Sequence, residues 1–154
     1  MQLINTTNLN EARKQIQKIK REKSEEEISV LSQDDEFNRK ALEIKGINML
    51  VINENYPWKD YMKQRASGLN EVLAKICADK NIKVGIQIEE IIKKPEIEKA
   101  KALARLMQNI MLCKKAGAKL VFVGEIKDKL ALQSLLLVLG ASTKQASKES
   151  PNVK

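Results

Sequence analysis

Short runs of Ile, Val and Leu alternate along this chain with longer segments of helical periodicity, and this alternation constrains its fold more than any other feature. Five such apolar runs occur, at residues 2–5, 28–31, 49–52, 82–88 and 120–123. Polar residues seldom interrupt them, as in strands that are buried on both faces of a parallel sheet. Strands alternating with helices require right-handed crossovers, so the sequence predicts a parallel α/β fold.

The segments between these runs carry apolar stripes at helical spacing, which begin at Leu9, Phe37, Leu69 and Leu103. Asn8 is expected to cap the first helix, with Glu11 as its capping-box partner. Gly117 is expected to end the fourth helix as a C-terminal cap. A last helix, at about residues 128–139, is apolar around most of its circumference and should therefore be the most buried one.

The length of 154 residues suits one domain, which we place at residues 1–145, followed by a polar tail at 146–154. No apolar run approaches the roughly 20 residues that a membrane helix needs. The first residues lack a basic region leading into an apolar one, so no signal peptide is expected. These features favour a cytoplasmic protein without a membrane partner.

The chain has no histidine and only two cysteines, Cys77 and Cys113. This composition excludes His-dependent nucleophilic catalysis and His-based zinc sites. Both cysteines lie on apolar helix stripes, so core packing is expected rather than reactivity. The glycines fit neither a dinucleotide fingerprint nor a phosphate-binding P-loop, so no nucleotide cofactor is predicted.

Acidic residues follow several predicted strands, at the sheet edge where parallel α/β enzymes place their active sites. The residues concerned include Asp34, Glu54, Glu89 and Glu125. If these carboxylates converged, they could hold Mg²⁺ without histidine, and the chain would be a carboxylate-only, Mg²⁺-dependent hydrolase or lyase. The other interpretation is that they cap the helices that follow.

The net charge of +8 favours a polyanionic partner. The long connection at residues 53–67 contains three of the five aromatic residues, interleaved with cations: Tyr56, Trp58 and Tyr61 with Lys59, Lys63 and Arg65. Rings and guanidinium groups stack on unpaired bases while lysines neutralise phosphates, which is an RNA-binding combination. The spacing equally allows the aromatic residues to anchor the loop on the core. The basic helix at residues 13–23 is similarly open to a phosphate-binding or a solvated interpretation.

Residues 58–75 resemble the arginine/lysine-x-Ser-Gly-hydrophobic-Asn-x-Val-Leu-Ala segment of ribonuclease P protein component 3, the archaeal counterpart of the eukaryotic thirty-kilodalton subunit. Residues 34–39, the glycine-containing strand at 81–88 and the stretch at 137–142 match the same family in order and spacing. The resemblance covers roughly residues 2–145.

The resemblance implies a distorted TIM-type barrel related to the PHP metal-dependent phosphoesterases. It also implies a non-catalytic subunit that binds ribonuclease P RNA with protein component 2 and supports 5′-leader removal from precursor tRNA. The catalyst would be the RNA with its Mg²⁺, and this chain would bind no cofactor or metal itself. The absence of histidine agrees with this, because PHP enzymes bind their metals mainly through His.

The chain is short for a closed barrel, which typically takes about 200 residues or more. We therefore expect an incomplete (β/α) barrel of about five βα units, with open sheet edges or with its partner completing it.

The resemblance places RNA contacts at the basic positions Arg39, Lys63, Arg65, Lys119 and Lys144, and the basic and aromatic loop adds Lys59. Tyr56, Trp58 and Tyr61 are expected at an interface, and Asn38, Ser67 and Gly68 are the polar and structural positions of the same motifs. A further hypothesis is a purely protein-binding scaffold whose basic faces only keep it in solution.

Overall fold

Five parallel strands form one sheet and occur in it in the same order as along the chain. The computed structural model describes residues 1–23, 25–60, 62, 65–125 and 128–147. The strands are β1 (Gln2–Ile4), β2 (Ile28–Leu31), β3 (Met49–Ile52), β4 (Lys83–Ile86) and β5 (Leu120–Phe122). The helices are α1 (Leu9–Glu22), α2 (Asp35–Leu42), α3 (Glu71–Asp79), α4 (Ile88–Ile92), α5 (Glu96–Ala116), α6 (Lys129–Val138) and α7 (Thr143–Ser147).

Each strand pairs with its successor in parallel register. Val30 lies opposite Leu50, and Ile52 lies opposite Ile86, which in turn lies opposite Phe122. Within the described part of the chain β1 and β5 each have one neighbour, so the sheet is open at both edges. The predicted fold class is confirmed: this is a parallel α/β sheet, consistent with an incomplete TIM-type barrel.

Side-chain oxygens of an Asn and an Asp cap the N-termini of α1 and α2, where the sequence indicates that these helices begin. Asn8 Oδ1 accepts from Asn10 N at 2.9 Å, and Asp34 Oδ1 accepts from Phe37 N at 2.7 Å. The expected capping box is wrong in one detail, because Asn8 N donates to Thr6 Oγ1 at 3.1 Å. Glu11 instead accepts from the Thr6 hydroxyl at 2.7 Å and from Gln15 Nε2 at 3.1 Å. Gly117 ends α5 as predicted, in the left-handed region at φ +77°.

The two faces of the sheet have different partners. One face carries alternate strand residues such as Ile4, Val30 and Ile86, which share the main core with apolar residues from all seven described helices. The other face carries a smaller apolar cluster, to which no described helix contributes. Its members are Leu31, Met49, Val51, Val121 and Val123. Helices on one face only are typical of a singly wound (β/α) barrel, in which the second face lies inside.

Close packing on the inner face explains a glycine in β4. A Cβ at Gly85 would lie 2.7 Å from Met49 Sδ and 3.0 Å from Val123 Cγ2. Side chains from both neighbouring strands therefore occupy the space above this residue. A larger residue would force the neighbouring strands apart.

The expectation that the helix at 128–139 is the most buried one is wrong. Only Leu136 of α6 is buried, whereas Leu130 is 73% exposed and Val138 is 82% exposed. The helix packs on the main core along one side. Its opposite side, which carries Leu130, Leu137 and Val138, is left exposed by the described elements.

The end of the described chain packs onto the domain. The expected boundary between domain and tail, at residues 145 and 146, falls inside α7. Gln145 Nε2 donates to the Ile110 carbonyl at 3.3 Å, and Ala146 is buried in the main core. Residues 148–154 of the expected tail lie outside the described residues. Among the helices that are described, none is long and apolar enough to cross a membrane.

Candidate functional site

The connection between β3 and α3, here called the β3–α3 loop (residues 53–70), is held on the carboxyl end of the sheet by backbone and indole hydrogen bonds. Asn53 N donates to Ser32 Oγ at 2.9 Å, and Trp58 Nε1 donates to the Asn53 carbonyl at 3.0 Å. The Tyr56 ring lies against Trp58, with 4.3 Å between centroids and 42° between planes. The two aromatic side chains thus form one half-buried unit above the ends of β2 and β3.

Gly68 lets the Trp58 indole approach the backbone. It has φ +74°, and a Cβ there would lie 2.9 Å from Ser32 Oγ and 3.0 Å from Trp58 Cζ2. Asn38 of α2 also binds the backbone at Gly68. Its Nδ2 donates to the Gly68 carbonyl at 3.3 Å and to the Gln33 carbonyl at 2.9 Å. Asn38 is fully buried, so this motif residue positions the loop.

Helix α5 clamps the second half of the loop. Ser67 Oγ donates to Asn109 Oδ1 at 2.6 Å, and Gln108 Nε2 donates to the Arg65 carbonyl at 2.8 Å. Arg65 N in turn donates to Gln108 Oε1 at 3.2 Å. Sequence reasoning missed both α5 residues. The signal was present, because Asn109 is a polar residue beside the apolar stripe of this helix.

Asp60 joins this clamp to two arginines. Its carboxylate lies 3.3 Å from Arg65 Nη1 and 3.3 Å from Arg105 Nη2, and it accepts from Ala66 N at 3.2 Å. The Arg65 side chain is 48% exposed, so its guanidinium remains open to solvent beside the aromatic pair. The carboxylate stabilises the orientation of both guanidinium groups.

A cleft of about 600 Å³, here called the loop cleft, opens between the start of α2 and the β3–α3 loop. Its acidic wall consists of Asp34, Asp35 and Glu36, and its other wall includes Tyr56, Trp58, Lys59 and Arg65. Such a volume is typical of small-ligand sites. The cleft therefore presents flat rings, cations and carboxylates to one space.

The structure brings some of the predicted site residues together and separates others. Tyr56, Trp58, Lys59 and Arg65 all line the loop cleft. Arg39 is exposed on α2, and Lys144 is exposed on α7. Lys119 precedes β5 at the opposite end of the sheet, where its Nζ donates to Asn81 Oδ1 at 2.7 Å. Tyr61 and Lys63 lie outside the described residues.

The four carboxylates that follow the strands do not meet at one site, although Glu89 and Glu125 line a common cavity. Asp34 caps α2, and Glu89 lies 3.4 Å from Lys93 on its own helix. No group of three or more Asp, Glu or Cys side chains within the described ranges is arranged to hold a metal ion. The capping interpretation is therefore correct for Asp34, and the converging carboxylate site is not formed by these residues.

Glu54 differs from the other carboxylates in its surroundings. Burial raises the pKa of its carboxyl from 4.5 to about 7, although nearby Lys94 and Arg105 act in the opposite direction. An isolated carboxyl in a low-dielectric position favours its neutral form. Glu54 is thus a partly buried titrating group at the start of the β3–α3 loop.

Similarities to known proteins concern both the sequence and the fold. A ribonuclease P protein component 3 from Methanosarcina acetivorans is 30% identical over 102 residues, which are 66% of this chain and 39% of that protein. A chain in a cryo-EM structure of archaeal ribonuclease P with mature tRNA has a TM-score of 0.74 at 21% identity, over 94% of this chain and 61% of that chain. A crystal structure of an uncharacterized protein has a TM-score of 0.58 at 13% identity, over 90% of this chain and 35% of that chain.

No family model matches the chain. The chain spans 39% of the curated relative's length and 61% of the chain in the archaeal complex. The resemblance to ribonuclease P protein component 3 that the motifs indicated is confirmed, and the structural similarity shows the shared fold.

Proposed function

We propose that this chain is a non-catalytic protein subunit of ribonuclease P, which binds the catalytic RNA with protein component 2 and supports 5′-leader removal from precursor tRNA. The observation that carries the proposal is the similarity over 102 residues to a ribonuclease P protein component 3. The fold shared with a chain of archaeal ribonuclease P supports the same role.

The surface around the loop cleft has the chemistry that RNA binding requires. Lys59 is exposed and has no hydrogen-bond or ion-pair partner in the part of the chain that the structure describes, and the same holds for Arg39. Arg65 adds a guanidinium beside the aromatic pair. Unpaired cations neutralise phosphates at little cost, because no internal ion pair has to break first. Lys119 and Lys144 would contact a separate part of the RNA.

The proposal assigns no bond-breaking step to this chain. Catalysis belongs to the RNA and the Mg²⁺ that enters with it, and the chain itself carries no cofactor. The lack of histidine supports this assignment, because the commonest general acid or base in enzymes is missing. The site of action is the cytoplasm.

The test measures binding of the full chain to cognate ribonuclease P RNA in the presence of component 2, at about 50 to 200 mM salt. The double variant Arg39→Glu, Lys59→Glu reverses two cations that are unpaired among the described residues. We expect it to weaken binding by about tenfold or more and to reduce the slope against salt by about two.

A matched double variant, Lys75→Glu with Lys114→Glu, makes the same charge change on α3 and α5. Both lysines are exposed and neither pairs with a described residue. Equal losses in the two double variants would contradict the assigned surface. Absence of RNA binding by the unmodified, folded chain with component 2 present would contradict the subunit role and favour a protein-binding scaffold.

A further inference from the structure

We infer that the loop cleft binds a single unpaired nucleotide whose base carries amino-group hydrogen-bond donors, with guanosine as the best fit. This inference rests on the proposed function and specifies what the same surface reads. The juxtaposition that carries it is that acidic, aromatic and cationic side chains line one cleft of about 600 Å³.

The aromatic wall is preorganised for a flat ligand. Trp58 is held by its bond to the Asn53 carbonyl at 3.0 Å and by its contact with the Gly68 backbone, and Tyr56 packs on it. Both rings still line the open cleft. Stacking of a base on an aromatic side chain contributes about 1–3 kcal/mol and does not depend on which base is bound. The rings therefore explain why a base would bind in the cleft. The polar groups determine which base is preferred.

The acidic wall supplies acceptors only, because an ionised carboxylate has no proton to donate. Asp34 already accepts from Phe37 N, and Glu36 already pairs with Lys40 at 2.6 Å. Asp35 has no hydrogen-bond or ion-pair partner within the described residues, so its carboxylate is available to a ligand. Guanine presents two adjacent donors on its Watson–Crick edge, and cytosine and adenine present an amino group. Uracil lacks an amino group, so this wall selects against it.

The cations on the opposite wall determine the class of ligand. Lys59 and Arg65 line the cleft together with the rings, and lysine and arginine are the side chains that bind phosphate. A nucleotide carries a negative phosphate and a donor-rich base edge, and thus matches both walls at once. A basic side chain of a protein would match only the carboxylates and rings, and Lys59 and Arg65 would repel it.

The chain contains one tryptophan, Trp58, so quenching of its fluorescence reports directly on occupancy of the loop cleft. The probes are pentanucleotide RNAs of sequence UUXUU, with G, C, A or U at the centre, titrated into the full chain. We expect the G probe to bind roughly tenfold more tightly than the all-U probe, with C and A also above U. The variant Asp35→Asn should remove the preference for the G probe over the all-U probe.

The matched control is Glu43→Gln, which neutralises an exposed carboxylate at the other end of α2, outside the cleft. It should keep the preference for G. Equal quenching by all four probes, or the same loss in Glu43→Gln, would overturn the inference. Stronger quenching by a short arginine peptide than by any RNA would also overturn it, and would show that the cleft takes a basic side chain.

This test separates the inference from the proposed function. Binding to ribonuclease P RNA that survives Asp35→Asn, together with no base preference in the pentanucleotides, would remove the nucleotide site and leave the subunit role intact. A clear base preference in a chain that fails to bind ribonuclease P RNA would support the nucleotide site and contradict the subunit role.

Discussion

Gly68 and Gly117 have nearly the same φ angle, +74° and +77°, but opposite surroundings. A Cβ at Gly68 would lie 2.9 Å from Ser32 Oγ and 3.0 Å from Trp58 Cζ2, whereas no described residue beyond the chain neighbours of Gly117 lies within 4 Å of the same position there. Alanine costs about 1–2 kcal/mol in this backbone region whatever its surroundings. We expect Gly117→Ala to lose that amount, and Gly68→Ala to lose about 1 kcal/mol more and to shift the emission of Trp58. Urea unfolding of both variants checks this, and equal losses with unchanged emission would refute it.

Glu54 makes the stability of the protein depend on pH. Its pKa is about 7 in the folded chain because of burial, against 4.5 for an ordinary glutamate. Below pH 4.5 the carboxyl is neutral in both states and has no effect. Between these values only the unfolded chain ionises, so stability falls as the pH rises, by at most about 3 kcal/mol.

Replacing this carboxyl by an amide should remove the penalty. We expect Glu54→Gln to be more stable than the parent chain at about pH 8 by up to about 3 kcal/mol, and to differ little at about pH 4. Urea unfolding at the two pH values measures the difference. A stability change that is the same at both would show that Glu54 is not buried as described.

The two thiols should be unreactive in the folded protein. Cys77 and Cys113 are free and buried in the main core, as predicted, and burial raises the pKa of each to about 12. The thiolate is the reactive form, and it is nearly absent near neutral pH at such a pKa. A thiol reagent should therefore label the chain only at its unfolding rate, and rapid labelling of the native protein would contradict this packing.

At the scale of the element, the sequence predicted four of the five strands to within about a residue at each end. The apolar run at 82–88 joins β4 to the start of α4, because a short apolar pattern does not distinguish Ile86, which ends the strand, from Ile88, which begins the helix. The contacts that hold the β3–α3 loop were not predictable in the same way. Gln108 and Asn109 meet Arg65 and Ser67 across more than forty positions of the chain, and no local pattern encodes such a pairing.

Helix α6 shows the limit of hydrophobic patterning most clearly. An apolar circumference indicates burial on every side, but this depends on which elements lie next to the helix. Leu136 faces the main core, and Leu130 faces outward. We expect Leu136→Ala to cost about 2–4 kcal/mol and Leu130→Lys to cost less than about 0.5 kcal/mol. Unfolding curves of the two variants compare them, and a large loss in Leu130→Lys would mean that the outer side of α6 is covered.

At the scale of the whole molecule, the parallel order of the strands brings the ends of β2 and β3 together, and so places the start of α2 beside the β3–α3 loop. The loop cleft is a consequence of this topology. Aromatic, basic and acidic residues that are separated in sequence meet there, while Lys119 is left at the other end of the sheet. The sequence indicated residue types that are typical of nucleic-acid binding. The fold decides which of these residues lie on the same surface.

We propose that this chain acts as a subunit of ribonuclease P, and single-turnover cleavage of precursor tRNA is the measurement that tests this claim. The reaction contains cognate ribonuclease P RNA and protein component 2 at modest Mg²⁺, with and without this chain. We expect a clear gain in the cleavage rate when the chain is added, and a smaller gain with Arg39→Glu, Lys59→Glu than with Lys75→Glu, Lys114→Glu. No gain from folded protein that also fails to co-elute with component 2 would contradict the claim.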